Sequence, residues 1–160
     1  MKLFLTGALG HIGSRLIREA HRFVGAPEIV MLDNLSTQRY ASLFNLPDTA
    51  VYRFHAGDVL DVDLTALMNG VDAVIHLAAV TDAAGSFQMR EKVEYINYNA
   101  TRRVAESCLA LDIPMIHLSS TGVYGSAATV VDEDCSPADL KPQRPYAETK
   151  LREERLLQDM

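Results

Sequence analysis

Cysteine is scarce in this chain. Cys108 and Cys135 are its two, and neither stands in a CxxC or zinc-like spacing. A disulfide framework and a cysteine-built metal site are therefore not expected, and two unpaired thiols suit a reducing, cytoplasmic setting. Long apolar runs are also lacking, so no transmembrane helix and no membrane partner are expected. The N-terminal apolar stretch is four residues long, Lys2 to Leu5 with its flanking lysine, and runs into glycines rather than a cleavage site. Basic clusters interleaved with aromatics are missing, which argues against nucleic acid. There is no low-complexity tract, no internal repeat and no change of composition that would mark a linker.

What is present is ordinary globular composition. The 160 residues are 48% hydrophobic and 22% charged, with a net charge of −6 spread along the chain. That length buries a substantial core in one domain. Apolar runs at 2–5, 28–33, 51–56, 71–77 and 113–118 read as five strands, the fourth nearly all apolar as if covered on both faces. Pro114 is tolerable only near the start of the fifth. Between them lie helical patterns. The clearest runs from about Met89 to Ala110, with Val93, Ile96, Ala100, Val104 and Cys108 on one side. A short helix is expected from Asp63 to Met68, another segment of helical composition from Ser14 to Ala20, and a last helix from Tyr146 to Met160 that stops without a terminator. The proline-containing stretch from Gly125 to Pro145 reads as a surface loop. Strands alternating with helices imply an α/β, doubly wound parallel sheet in the order 3-2-1-4-5.

The first strand leads into Thr6-Gly7-Ala8-Leu9-Gly10-His11-Ile12-Gly13 and then a helix. Strand, glycine turn and helix in that order form a corner where a pyrophosphate meets bare amides at the positive end of a helix, with no Cβ in the way. Asp33 lies 20 positions after Gly13, at the end of the second strand. A carboxylate there accepts hydrogen bonds from both adenosine ribose hydroxyls and repels a 2′-phosphate, which favours NAD over NADP. Gly57-Asp58-Val59 follows the third strand and Leu77-Ala78-Ala79 the fourth, so both loops belong to the crevice at the strands' carboxyl ends. Asp58 suits the adenine amino group, Val59 the ring, and the small Ala78 and Ala79 a close backbone approach.

A second constellation carries chemistry. Tyr146 and Lys150 stand at i and i+4, on one helix face. A free tyrosine titrates near roughly 10, too high for a base at neutral pH, and a neighbouring ammonium is expected to lower it. The fifth strand ends in Ser119-Ser120-Thr121-Gly122-Val123-Tyr124-Gly125, which offers a hydroxyl at the strand's carboxyl end. His76 and His117 fall in strands and read as core or strand-end residues.

Taken together, TGALGHIG, DNLS, GDV, HLAA, the segment Asn97-Tyr98-Asn99-Ala100-Thr101, SSTGVYG and PYAETK resemble the successive motifs of the NAD-dependent epimerase/dehydratase family, extended short-chain dehydrogenase/reductases with a Rossmann domain. The resemblance implies a catalytic set of Ser120, Tyr146 and Lys150. Ser120 is preferred to Ser119 because the family's hydroxyl stands four positions before the VYG tyrosine, here Tyr124. The implied NAD contacts are Gly7, Gly10, His11, Ile12, Gly13, Asp33, Asn34, Ser36, Asp58, Val59, Leu77, Ala78, Ala79, Asn97, Tyr146 and Lys150, with no metal. Ala100 departs from the family's usual glycine. The implied reaction is transient oxidation of a sugar hydroxyl of a nucleotide-sugar by bound NAD. Thr121 and Gly122 replace the Asp-Glu pair that 4,6-dehydratases carry after the catalytic hydroxyl, so epimerisation is expected ahead of dehydration or reduction. Family members are considerably longer, so residues 1–160 are expected to be an incomplete NAD-binding domain without the C-terminal substrate domain, and inactive in isolation. A fragment that binds NAD without turnover is the competing expectation. A homodimer through helices 89–110 and 146–160 is the expected assembly.

Overall fold

A computed structural model describes residues 1–81, 90–126 and 131–160. Within it the chain divides into two compact units, Met1–Ala79 with Arg103–Leu118, and Val80–Arg102 with Ser119–Met160.

The first unit contains the sheet. Its strands are β1 (Lys2–Thr6), β2 (Glu28–Asp33), β3 (Val51–Ala56), β4 (Ala73–His76) and β5 (Met115–His117), all parallel and in the spatial order β3-β2-β1-β4-β5. This is the expected doubly wound order. β1 lies at the centre, with Phe4 opposite Val30 on one side and Val74 on the other, so its backbone groups are matched along both edges. Side chains alternate across the pleat. Leu3, Leu5, Ile29 and Met31 share a core cluster with Ile17 and Ala20. Phe4, Val30 and Leu32 are the alternating, equally buried residues of the same strands, and Val74 of β4 is buried opposite Phe4. A strand buried on both sides reads as a continuous apolar run, which is why LFL, IVML and AVI were legible.

α1 (His11–Glu19) begins three residues before the expected Ser14, because Gly10 rather than the end of the glycine stretch is its N-cap. Its backbone turns directly into the four-residue α2 (His21–Val24). α3 (Leu64–Leu67) is short and is opened by Asp63, whose carboxylate accepts the Ala66 amide at 3.0 Å and the Thr65 hydroxyl at 2.7 Å. β4 and β5 are shorter than the expected 71–77 and 113–118. Pro114 lacks an amide, so it enters the ladder only through its carbonyl, which accepts the Val74 amide at 2.9 Å.

The longest helix, α4 (Arg90–Leu111), has Val93, Asn97, Ala100, Thr101, Val104 and Cys108 among its buried residues. Met89, the expected first residue, lies outside the described residues. Arg103 of α4 donates to the Val62 carbonyl at 2.9 Å within the sheet unit. Cys108 is buried as expected, and burial pushes its thiol up to about 11.

The second unit combines the N-terminal part of α4, a 3-10 turn at Thr121–Tyr124 and α5 (Pro145–Gln158). Pro145 occupies the first turn of α5, where its missing amide costs nothing. The helix does not run to the last residue. It ends at Gln158, with the Asp159 amide donating to the Arg155 carbonyl at 3.0 Å. Among the described residues no helix is long and apolar enough to cross a membrane, and no cluster of His, Cys, Asp or Glu could hold a metal.

Candidate cofactor and catalytic sites

The glycine corner lies between β1 and α1, at the carboxyl end of the central strand. The three glycines do different work. Gly7 has φ of +62°, and a Cβ on it would stand 2.6 Å from the Ala78 amide nitrogen. A Cβ on Gly13 would stand 2.6 Å from the carbonyl oxygens of both Gly7 and Ala8. These two glycines permit close packing of the protein on itself. Gly10 differs: a Cβ there would meet only the Gly7 oxygen, at 3.2 Å. Gly10 caps α1 without a side-chain hydrogen bond, and the first turn holds no acidic residue. The amides of His11, Ile12 and Gly13 thus open the helix at its positive end, beside an open face. That is the geometry an anion such as a pyrophosphate requires.

Polar contacts around the corner hold it in shape. Asp33, at the end of β2, accepts the Leu9 amide at 3.0 Å through one carboxylate oxygen and the Leu35 amide at 2.9 Å through the other. It therefore clasps the glycine turn as well as facing the crevice. A carboxylate accepts about four hydrogen bonds, so capacity for ribose hydroxyls remains. Asn34 and Asp58 face each other: the Asn34 amide donates to Asp58 at 2.8 Å, and Asp58 also accepts the Leu60 amide at 2.9 Å. Ser36 is exposed, with its amide donating to Asn34 at 3.0 Å. Val59 is buried at 5% exposure, and His11 and Ile12 are exposed.

Sequence reasoning missed Thr6. It is completely buried, and its hydroxyl oxygen accepts the amides of Leu77 and Ala78, each at 3.2 Å. Its oxygen lies 2.7 Å from His76 Nδ1, so with two amides donating to the oxygen the hydroxyl hydrogen points to the imidazole. Thr6 thereby locks the end of β1 to the Leu77-Ala78-Ala79 loop. Its signal was a threonine directly preceding the first glycine. His76 is buried, as its strand position implied, and its ring stacks on His117 with centroids 5.8 Å apart.

In the second unit, Asn97 is 1% exposed and grips the Val80 backbone with both ends of its amide, accepting the Val80 N–H at 2.7 Å and donating to the Val80 carbonyl at 3.0 Å. Its visible role is to steady that backbone. Ser120 caps the 3-10 turn by accepting the Gly122 amide at 3.1 Å, which leaves its own hydroxyl hydrogen free to be donated. Ser119 differs. Its hydroxyl is bonded to Glu154 of α5.

Tyr146 and Lys150 occupy one face of α5, with the Lys150 ammonium 5.9 Å from the Tyr146 ring centre. The expected electrostatics is reversed. Burial holds the Tyr146 phenol above its ordinary value, and the Glu153 carboxylate raises it further. Lys150 is itself paired: its ammonium lies 2.8 Å from Glu153, and the two side chains are 5% and 0% exposed. Glu153 carried no sequence signal, since it sits in a charged Arg-Glu-Glu run that ordinarily faces water.

A doubly wound parallel sheet with an uncapped glycine corner at the carboxyl end of its central strand defines a Rossmann-like, dinucleotide-binding class of fold. The chain belongs to the NAD dependent epimerase/dehydratase family, whose model matches residues 3–160. It is 32% identical to an uncharacterised UDP-glucose epimerase, YtcB, of Bacillus subtilis, over 98% of this chain and 50% of the relative. It is 34% identical to a dTDP-glucose 4,6-dehydratase of Streptomyces antibioticus, over 94% of this chain and 46% of the relative. Among solved structures it resembles UDP-glucuronic acid 4-epimerase from Bacillus cereus in complex with UDP-glucuronic acid and NAD, with a TM-score of 0.82, 32% identity, and coverage of 98% of this chain and 51% of the other. The chain thus spans about half the length of the relatives it matches.

Proposed function

We propose that this chain is the NAD-binding and catalytic half of a nucleotide-sugar epimerase. The observation that supports cofactor binding most directly is the uncapped start of α1 beside Gly10, where the helix presents its amides to an open face. The pyrophosphate would be held by the amides of His11, Ile12 and Gly13, the Gly10 amide being bonded to the Gly7 carbonyl at 3.1 Å. The adenosine end would be held by Asp33, Asn34, Ser36, Asp58 and Val59, and the remainder by Leu77, Ala78, Ala79 and Asn97, with Tyr146 and Lys150 at the nicotinamide ribose. NAD supplies a hydride acceptor that also returns the hydride.

In this reading Ser120 donates its spare hydroxyl hydrogen to a sugar oxygen, Tyr146 removes the proton of the reacting sugar hydroxyl, and Lys150 holds the ribose and stabilises the phenolate. Because the phenol sits above its ordinary value, the base becomes competent as pH rises. Epimerisation is favoured over 4,6-dehydration by the turn itself. Thr121 and Gly122 carry no carboxylate, and a Cβ at Gly122 would stand 3.1 Å from that of Ala147, so an acidic side chain there would crowd α5. Relatives of both kinds match the chain, and the preference for epimerisation rests on this turn.

A cytoplasmic homodimer using α4 and α5 belongs to the same reading, supported by the free cysteines and by Tyr95 of α4, which is 67% exposed. In the protein that carries this chain, Tyr146→Phe lowers turnover of UDP-, GDP-, CDP- or dTDP-sugars by about 10²–10⁴-fold while NAD still binds. Turnover kept at the wild-type rate would refute the assigned base.

A further inference from the structure

The buried pair Lys150–Glu153 is not required by the chemistry just described, which calls for a lysine free to act on its tyrosine. The two groups are 2.8 Å apart and almost wholly withdrawn from solvent. Removing two charges from water is costly, and a buried pair contributes little net stability compared with apolar residues of the same size. A carboxylate kept at such a position is better accounted for by what it does to its neighbour.

We propose that Glu153 is a positioning residue of the Tyr146–Lys150 set: it fixes the Lys150 ammonium and takes up the charge that would otherwise act on the Tyr146 hydroxyl. This rests on the assignment of Tyr146 and Lys150 to the reaction. Three observations support it. The ion pair has a short, hydrogen-bonded geometry at i and i+3 on one helix. The same ammonium lies 5.9 Å from the Tyr146 ring centre, so one charge serves both groups.

The third is that Glu148, Arg152 and Glu154 of α5 have partners of their own. Glu148 of α5 pairs with Arg90 of α4 at 2.5 Å. Arg152 of α5 pairs with Glu94 of α4, and its guanidinium lies 4.9 Å from the Tyr98 ring centre. Glu154 is bonded to Ser119 beside the 3-10 turn that contains Tyr124. Glu153 is the carboxylate whose charge reaches the Tyr146 phenol. In a weakly solvated setting a neighbouring carboxylate favours the protonated phenol, and a free ammonium favours the phenolate. Glu153 therefore sets how alkaline the medium must be, or how much positive charge must arrive near the ring, before Tyr146 acts as a base.

The test is a titration of the chain labelled with carbon-13 at the tyrosine ring carbon that bears the hydroxyl, with the Tyr146 resonance assigned by its loss in Tyr146→Phe. Glu153→Gln, which keeps the shape and removes the charge, moves the Tyr146 midpoint to lower pH and leaves that of Tyr124 in place. Glu153→Asp withdraws the carboxylate by one methylene and moves the midpoint part of the way, and it decides the matter if the glutamine variant does not fold. A midpoint unmoved in the folded variants, moved upward, or moved together with that of Tyr124 overturns the proposal. The readout needs no turnover, so its failure is distinct from failure of the epimerase reading. In the protein that carries this chain, the alkaline rise of turnover shifts to lower pH in Glu153→Gln by the same displacement.

Discussion

The glycine corner and the Tyr146–Lys150 face of α5 are built in opposite ways. At the corner nearly everything is backbone: Gly7 and Gly13 exist to let main chains approach, Asp33 and Thr6 hold amides in place, and the helix start is left uncapped. On α5 nearly everything is side-chain charge, with Lys150 and Glu153 buried against each other and Tyr146 partly buried beside them. The first arrangement recognises by shape and fixed dipoles. In the proposed function the second controls a proton. Substitutions should therefore separate them: at the corner, damage follows atomic volume, whereas on α5 it follows charge.

The largest expected effect is on α5. Lys150→Met leaves Glu153 buried without its ammonium and should lower folding stability by about 3–5 kcal/mol, the usual result of breaking a buried ion pair from one side. Chemical denaturation checks it. A loss below about 1 kcal/mol would mean that the pair is not sealed from water as its exposure indicates.

At the corner, Gly13→Ala forces a methyl group to within 2.6 Å of two carbonyl oxygens. The expected cost is about 1–3 kcal/mol, as for overpacking elsewhere, read as a lower melting temperature. Gly10→Ala should differ from it, because its Cβ finds only one atom at 3.2 Å. Its stability should stay within about 0.5 kcal/mol of wild type. Equal damage from both substitutions would erase the distinction between glycines that serve packing and the one that faces outward.

How much of this could be read in advance depended on the kind of interaction. β2 and β3 were legible to the residue, as Glu28–Asp33 and Val51–Ala56, because an apolar run between turn residues marks a strand wherever it pairs. β4 and β5 were overextended, since a strand's length is set by its partners and by Pro114, and the pairing partners are not written locally. The glycines, Asp33, Asn97, Ser120, Tyr146 and Lys150 announced themselves by spacing and family resemblance. Thr6 and Glu153 did not. Thr6 matters through a loop about 70 residues away in sequence, and Glu153 is chemically indistinguishable from Glu154 until α5 buries one and leaves the other near Ser119. The sign of the Tyr146 shift follows first from burial of the phenol itself and then from Glu153, and neither is written in the i and i+4 spacing.

The most direct test of NAD binding at the glycine corner is titration calorimetry of NAD against the wild-type chain and Gly10→Ala, with melting temperatures measured on the same samples. The expected result is that wild type binds NAD, and that the substituted chain melts as wild type does but binds at least about tenfold more weakly, a difference of about 1.4 kcal/mol. Unchanged affinity in Gly10→Ala, or no binding by the folded wild-type chain, would contradict it.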